Sequence, residues 1–145
     1  MIRTCRCGQK NRVPIARLPE TGTCGRCKQP LPAVAEPIEA DEALFDEVMR
    51  EARVPVLVDF WAAWCGPCRM AAPEVARVAR DLAGQALVLK VNTEQQPGLA
   101  QRFQIRGIPN FMVIKHGRVV FQQAGLVRAA EMKRWLQAPA PQSHA

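Results

Sequence analysis

A chain of 145 residues is long enough for one full-sized domain and a small appendage. At 48% hydrophobic and 23% charged it has a globular composition, no stretch approaches the roughly 18 apolar residues of a membrane span, and Met1-Ile2-Arg3-Thr4-Cys5 lacks the apolar core of a signal peptide, so a soluble, cytoplasmic protein is expected. The net charge of +7 belongs to one end: residues 1–32 hold seven Lys/Arg against Glu20, and residues 33–145 hold thirteen against twelve acids, which argues against a basic surface spread over the whole chain.

Residues 1–32 are rich in Cys, Gly, Pro and Arg, and no apolar period in them runs long enough for a helix or sheet with its own core. Cys5-Arg6-Cys7-Gly8 and Cys24-Gly25-Arg26-Cys27 leave sixteen residues between the inner cysteines. That is the spacing of a four-thiolate zinc site, in which two tight turns each offer two sulfurs to a tetrahedral ion. The first pair is C-x-C rather than C-x-x-C, which shortens its turn; a labile disulfide pair or a disordered, thiol-bearing arm is the alternative. His116 and His144 are remote, so Cys5, Cys7, Cys24 and Cys27 are the only ligand set for a structural zinc, and no organic cofactor is expected. Three prolines between Pro30 and Pro37 predict a stiff linker over 33–37, between a small domain at 1–32 and a larger one at 38–137.

Asp41 can cap a helix whose apolar residues Leu44, Phe45, Val48 and Met49 share one face and which ends near Ala52. Residues 54–60, nearly all apolar and β-branched, predict a central strand buried on both faces. After Cys65 and Cys68, the spacing of Ala71, Val75, Val78, Ala79 and Leu82 predicts a helix of about four turns with Pro73 inside it. Residues 86–92 form a second buried strand broken only by Lys90, and Pro97 opens a short helix through Phe103. Residues 111–115 and 118–121 flank His116-Gly117 as an antiparallel hairpin ended by Gly125. An amphipathic helix over 128–137 and a disordered tail over 138–145 complete the chain.

The chemistry lies in Trp64-Cys65-Gly66-Pro67-Cys68. A C-x-x-C at a helix start places its first sulfur among unpaired backbone N–H groups at the positive end of the helix dipole, which lowers the thiol below its ordinary pKa of about 8.5. Cys65 is thereby the nucleophile, and Cys68, one turn along, resolves the mixed disulfide that Cys65 forms. Half of a zinc site is the bland alternative, but no partner pair follows. Asp59 stands in an apolar strand, where burial would raise its pKa and suit it to take the Cys68 proton, with Lys90 on a neighbouring strand as its partner. Equally, both could reach solvent at strand ends.

These residues resemble the thioredoxin family over about 38–137. Phe60-Trp61-Ala62, Asp59, the C-x-x-C motif, Pro73, Lys90, Gly107-Ile108-Pro109, Gly117 and Gly125 all stand where the family pattern has them. The resemblance implies a mixed five-stranded sheet flanked by four helices, with a small zinc-ribbon-like domain ahead of it. It implies a cis Ile108–Pro109 peptide opposite the cysteines, where the backbone of Ile108 pairs with a substrate chain, packs Trp61 and Trp64 by and over the active site, and makes Trp64, Gly66, Pro67, Ile108 and Pro109 the substrate-binding residues. It also implies Asp59 as the buried proton acceptor for Cys68. Asn110 and Arg69 depart from the usual Thr and Lys and are expected on the rim. The cysteine-rich extension narrows the resemblance to the thioredoxin 2 type, from which the C-x-C pair departs.

The implied activity is reduction of protein disulfides, with disulfide-containing proteins and thioredoxin reductase as partners. A disulfide oxidant or isomerase shares the motif and is the rival enzyme reading. A zinc-dependent nucleic-acid or protein binding module is the rival of another kind; residues 1–32 contain no aromatic side chain for base stacking, so nucleic acid is not the expected partner.

Overall fold

The computed structural model describes residues 1–139. The expected disordered tail, 138–145, falls almost wholly outside them.

The N-terminal part consists of two short hairpins. β1 (Ile2–Thr4) pairs antiparallel with β2 (Lys10–Arg12), and β3 (Gly22–Thr23) with β4 (Pro30–Leu31). Between them lies a single 3₁₀ turn, Ile15–Arg17. Apolar residues are few here, and Cys5, Cys24 and Leu31 make only a small buried cluster. The segment therefore leans on the rest of the molecule: Ile15 and Leu18 are fully buried in the core beneath α1 (Glu42–Glu51). In the chain between the two parts, Val34 is buried in the same core and its amide donates to the Leu18 carbonyl.

The larger part is the mixed five-stranded sheet with four helices that the resemblance implies. Its strand order is β5 (Ile38–Glu39), β7 (Leu87–Asn92), β6 (Val56–Trp61), β8 (Asn110–Lys115), β9 (Arg118–Ala124). The first three run parallel and the last two antiparallel. β6 is central, and five of its six residues are buried, as its apolar run requires. α1 and α3 (Pro97–Arg102) supply Phe45, Val48 and Leu99 to one face. α2 (Gly66–Asp81) and α4 (Ala129–Gln137) supply Val75, Val78, Met132 and Leu136 to the other.

Local chemistry sets the ends of these elements. The Asp41 carboxylate accepts from the Leu44 amide at 2.8 Å and caps α1. His116 and Gly117 both have positive φ, the backbone of a two-residue hairpin turn whose twist matches its strands. The same parallel strand β6 delivers the chain directly into the start of α2, so the cysteine motif sits where the strand's carboxyl end meets the helix's amino end.

Candidate active site and metal centre

Cys65 is the N-cap of α2, and Pro67 stands in the first turn, where a missing N–H costs nothing. The Cys65 and Cys68 sulfurs are bonded to each other, with Cα atoms 5.2 Å apart. Cys65 Sγ accepts from the Cys68 amide at 3.1 Å, the helix-terminus contact that favours a thiolate once the bond is reduced. Both sulfurs lie in a small cluster with Ala62, Trp61 and Ile108 and are almost covered. The Ile108–Pro109 peptide is cis, and the Ile108 carbonyl oxygen stands 3.7 Å from Cys65 Sγ. The Pro109 carbonyl accepts from the Gly125 amide.

Asp59 is 1% exposed, in the middle of β6 rather than at its end, and among the described residues neither of its oxygens has a hydrogen-bond partner. Burial pushes its carboxyl from 3.8 up to about 7, against the pull of Lys90. Lys90 lies opposite Asp59 in the β6–β7 register, half-buried, with its Nζ 4.5 Å from the centre of the Trp61 ring. The structure thus brings Cys65, Cys68, Ile108 and Pro109 together beyond the carboxyl end of β6, with Trp61 between them and Lys90, which faces Asp59.

Trp64 is 64% exposed beside the thiols, and its indole N–H donates to Glu94. Met70 and Leu126 are also exposed apolar side chains. Neither was singled out from sequence: Met70 breaks the apolar phase of α2, which in retrospect marks an outward-facing apolar residue. Arg69 is on the rim as expected, donating to the Ala63 carbonyl at 2.9 Å. Asn110 is not. It is 7% exposed and its Oδ1 accepts from Nε2 of Gln122, on the adjacent strand β9, at 3.1 Å.

The second group of thiols lies in the N-terminal part. The Sγ atoms of Cys5, Cys7, Cys24 and Cys27 all lie within 4.8 Å of one another. Cys5 and Cys27 approach to 3.5 Å and Cys7 and Cys24 to 3.7 Å. Four sulfurs about 2.3 Å from a tetrahedral zinc stand about 3.8 Å apart, so the donor set and its spacing fit that ion. The short C-x-C turn is accommodated by Gly8 at φ +90°, with the Gly8 amide closing back onto the Cys5 carbonyl. Amides of Cys27 and Arg26 pull the Cys24 thiol from 9.0 down to about 6. Asn11, which spacing did not single out, joins the two turns: its Oδ1 accepts from the Gly25 amide at 2.9 Å and its Nδ2 lies 3.6 Å from Cys24 Sγ.

Comparison with known proteins agrees with this geometry. The family model described as Thioredoxin matches residues 36–138. Thioredoxin C-3 of Corynebacterium nephridii is 39% identical over 137 residues, covering 94% of this chain and 93% of that protein, so the match takes in most of the cysteine-rich extension. Thioredoxin 1 of Chlorobaculum tepidum is 43% identical over 89 residues, 61% of this chain and 88% of that one. The crystal structure of chloroplastic thioredoxin z superposes with a TM-score of 0.66 at 24% identity, over 71% of this chain and 93% of that one, which speaks to the fold. The chain belongs to the thioredoxin family and, with it, to the thiol-disulfide oxidoreductases.

Proposed function

We propose that the protein reduces disulfides in other proteins by dithiol exchange at Cys65 and Cys68 and is re-reduced by an NADPH-dependent thioredoxin reductase. The observation that carries this reading is the bonded Cys65–Cys68 pair at the start of α2, facing the cis Ile108–Pro109 peptide with Asp59 buried nearby. In the reduced protein, the Cys65 thiolate attacks one sulfur of a substrate disulfide and the other sulfur leaves as a thiolate. Cys68 gives its proton to the Asp59 carboxylate and attacks Cys65 Sγ, releasing the second substrate thiolate. Two electrons have passed to the substrate, and the protein is left with the Cys65–Cys68 bond. Trp64, Gly66, Pro67, Ile108 and Pro109 form the surface on which the substrate chain lies, and the charge of Lys90 acts on Asp59. Such chemistry suits the reducing cytoplasm.

Cys65→Ser removes the nucleophile and is expected to abolish NADPH-coupled reduction of insulin; retained activity would overturn the assignment. Cys68→Ser should instead accumulate a substrate mixed disulfide, visible on a non-reducing gel. The rival oxidant reading is decided by the reduction potential. A value near the about −270 mV known for thioredoxin supports a reductant, and one near about −120 to −180 mV an oxidant or isomerase.

For the N-terminal thiols we propose one zinc ion held by Cys5, Cys7, Cys24 and Cys27 in a module of the thioredoxin 2 type. When bound, it cross-links the two cysteine turns and neutralises the thiolate charge they bring together. The close pairs, Cys5 with Cys27 and Cys7 with Cys24, suit oxidation to two disulfides by peroxide, each passing two electrons to the oxidant and ending the site's affinity for metal. Zinc still bound after Cys65 and Cys68 are fully oxidised by excess peroxide would count against this sensing role.

A further inference from the structure

One carboxylate near the thiols has no part in the reaction as written. Glu39 lies on the two-residue strand β5, opposite Lys90 in the parallel β5–β7 register, just as Asp59 lies opposite Lys90 on the other side. Side chains in register on neighbouring strands share a face of the sheet. Their apolar neighbours say which face: Ile38, Ala40, Val58, Phe60, Leu89 and Val91 all enter the α1 core. Glu39, Lys90 and Asp59 therefore form a row across three strands on the α2 face, with the cation in the middle. Glu39 Oε1 accepts from Trp61 Nε1 at 3.0 Å, and Lys90 Nζ stands over the same indole ring. The outer end of the row opens onto a cleft of about 280 Å3 lined by Glu39, Asp41, Asn92 and Gln96.

We propose that Glu39 is a positioning residue for the proton step, holding Trp61 and sharing the Lys90 charge so that Asp59 is left able to accept the Cys68 proton near neutral pH. The inference rests on Asp59 being that acceptor. A lysine facing a single buried carboxylate would hold it ionised and weakly basic, whereas a second carboxylate on the far side divides the attraction. In agreement, burial raises Asp59, Lys90 lowers it and Glu39 raises it further, while Glu39 is itself raised by its partial burial. The other charged groups of the surrounding elements are engaged elsewhere. On α2, Glu74 and Arg77 pair with each other and Arg69 binds a backbone carbonyl. On α4, Lys133 pairs with Asp81, and β8 presents Phe111 at the level of Asp59. The remaining titratable groups at this end are Cys65 and Cys68, Glu94, whose carboxylate accepts from Trp64, and Asp41, whose carboxylate caps α1.

Glu39→Gln tests this directly, since the amide can still accept from Trp61 and only the charge is lost. In the reduced full-length protein, the Asp59 carboxyl followed by carbon NMR should titrate roughly half to one pH unit lower than in the parent. The pH profile of insulin reduction should move the same way, and Glu39→Asp should restore at least part of the shift. An Asp59 midpoint and a rate profile unchanged in Glu39→Gln would overturn the role of Glu39. If instead Asp59→Asn leaves the rate profile unaltered, the reading of Asp59 as acceptor fails, and this inference with it.

Discussion

At the level of single residues, Asp59 costs the fold stability wherever it is ionised. Both oxygens are buried without a partner, and the carboxyl titrates at about 7 instead of 3.8. Between these two values the folded protein holds a proton that the unfolded chain releases, so the number of bound protons falls on unfolding. The contribution of Asp59 to stability is therefore fully present below about pH 4 and is lost as pH rises through about 7. Asp59→Asn removes that decline. The variant should gain up to about 4 kcal/mol over the parent at pH 8 and almost nothing at pH 4, as measured by denaturant unfolding of the oxidised proteins. An equal difference at both pH values would mean that packing rather than ionisation separates the two.

Among the elements, what could be read from the chain depended on how much pattern each carried. β6, β7 and α2 are long and apolar or clearly periodic, and their limits lie within about two residues of those expected. β5 was not legible, because two residues carry no period and the strand exists only by pairing with β7. Missing β5 meant missing Glu39, whose meaning depends wholly on its register with Lys90. β9 continues three residues beyond Phe121 because Gln122 and Gln123, polar on an exposed edge, gave no strand signal. The thiol pairs were legible from spacing alone, but Asn11 was not, since a bridge between two turns is a property of their packing. Asn11→Ala should lower zinc affinity about ten- to hundredfold, as loss of a residue supporting metal ligands typically does, with the change read by competition against a chelator. Affinity equal to the parent's would reduce Asn11 to a hairpin residue.

Across the whole molecule, the two sets of thiols lie in separate clusters. The active site is at the carboxyl end of β6, whereas the N-terminal part meets the other end: Pro19 lies by Gly84 beyond the last turn of α2, and the 3₁₀ turn packs on α1, whose last turn leads into the start of β6. The cysteine-rich part and the redox domain share a core of Ile15, Leu18, Val34, Phe45 and Val48, through which the two can influence each other. This predicts one cooperative unit rather than a domain and a detachable appendage. Ile15 is fully buried, so Ile15→Ala should cost about 2–5 kcal/mol through lost burial and the cavity left behind. All three tryptophans, Trp61, Trp64 and Trp135, lie in the larger part. The loss should thus appear in tryptophan-detected denaturant unfolding, even though the substitution is in the N-terminal segment. A fluorescence transition at the parent's midpoint, with only the cysteine-rich part loosened, would show that the two parts unfold independently and that a signal from the cluster has no route through the core.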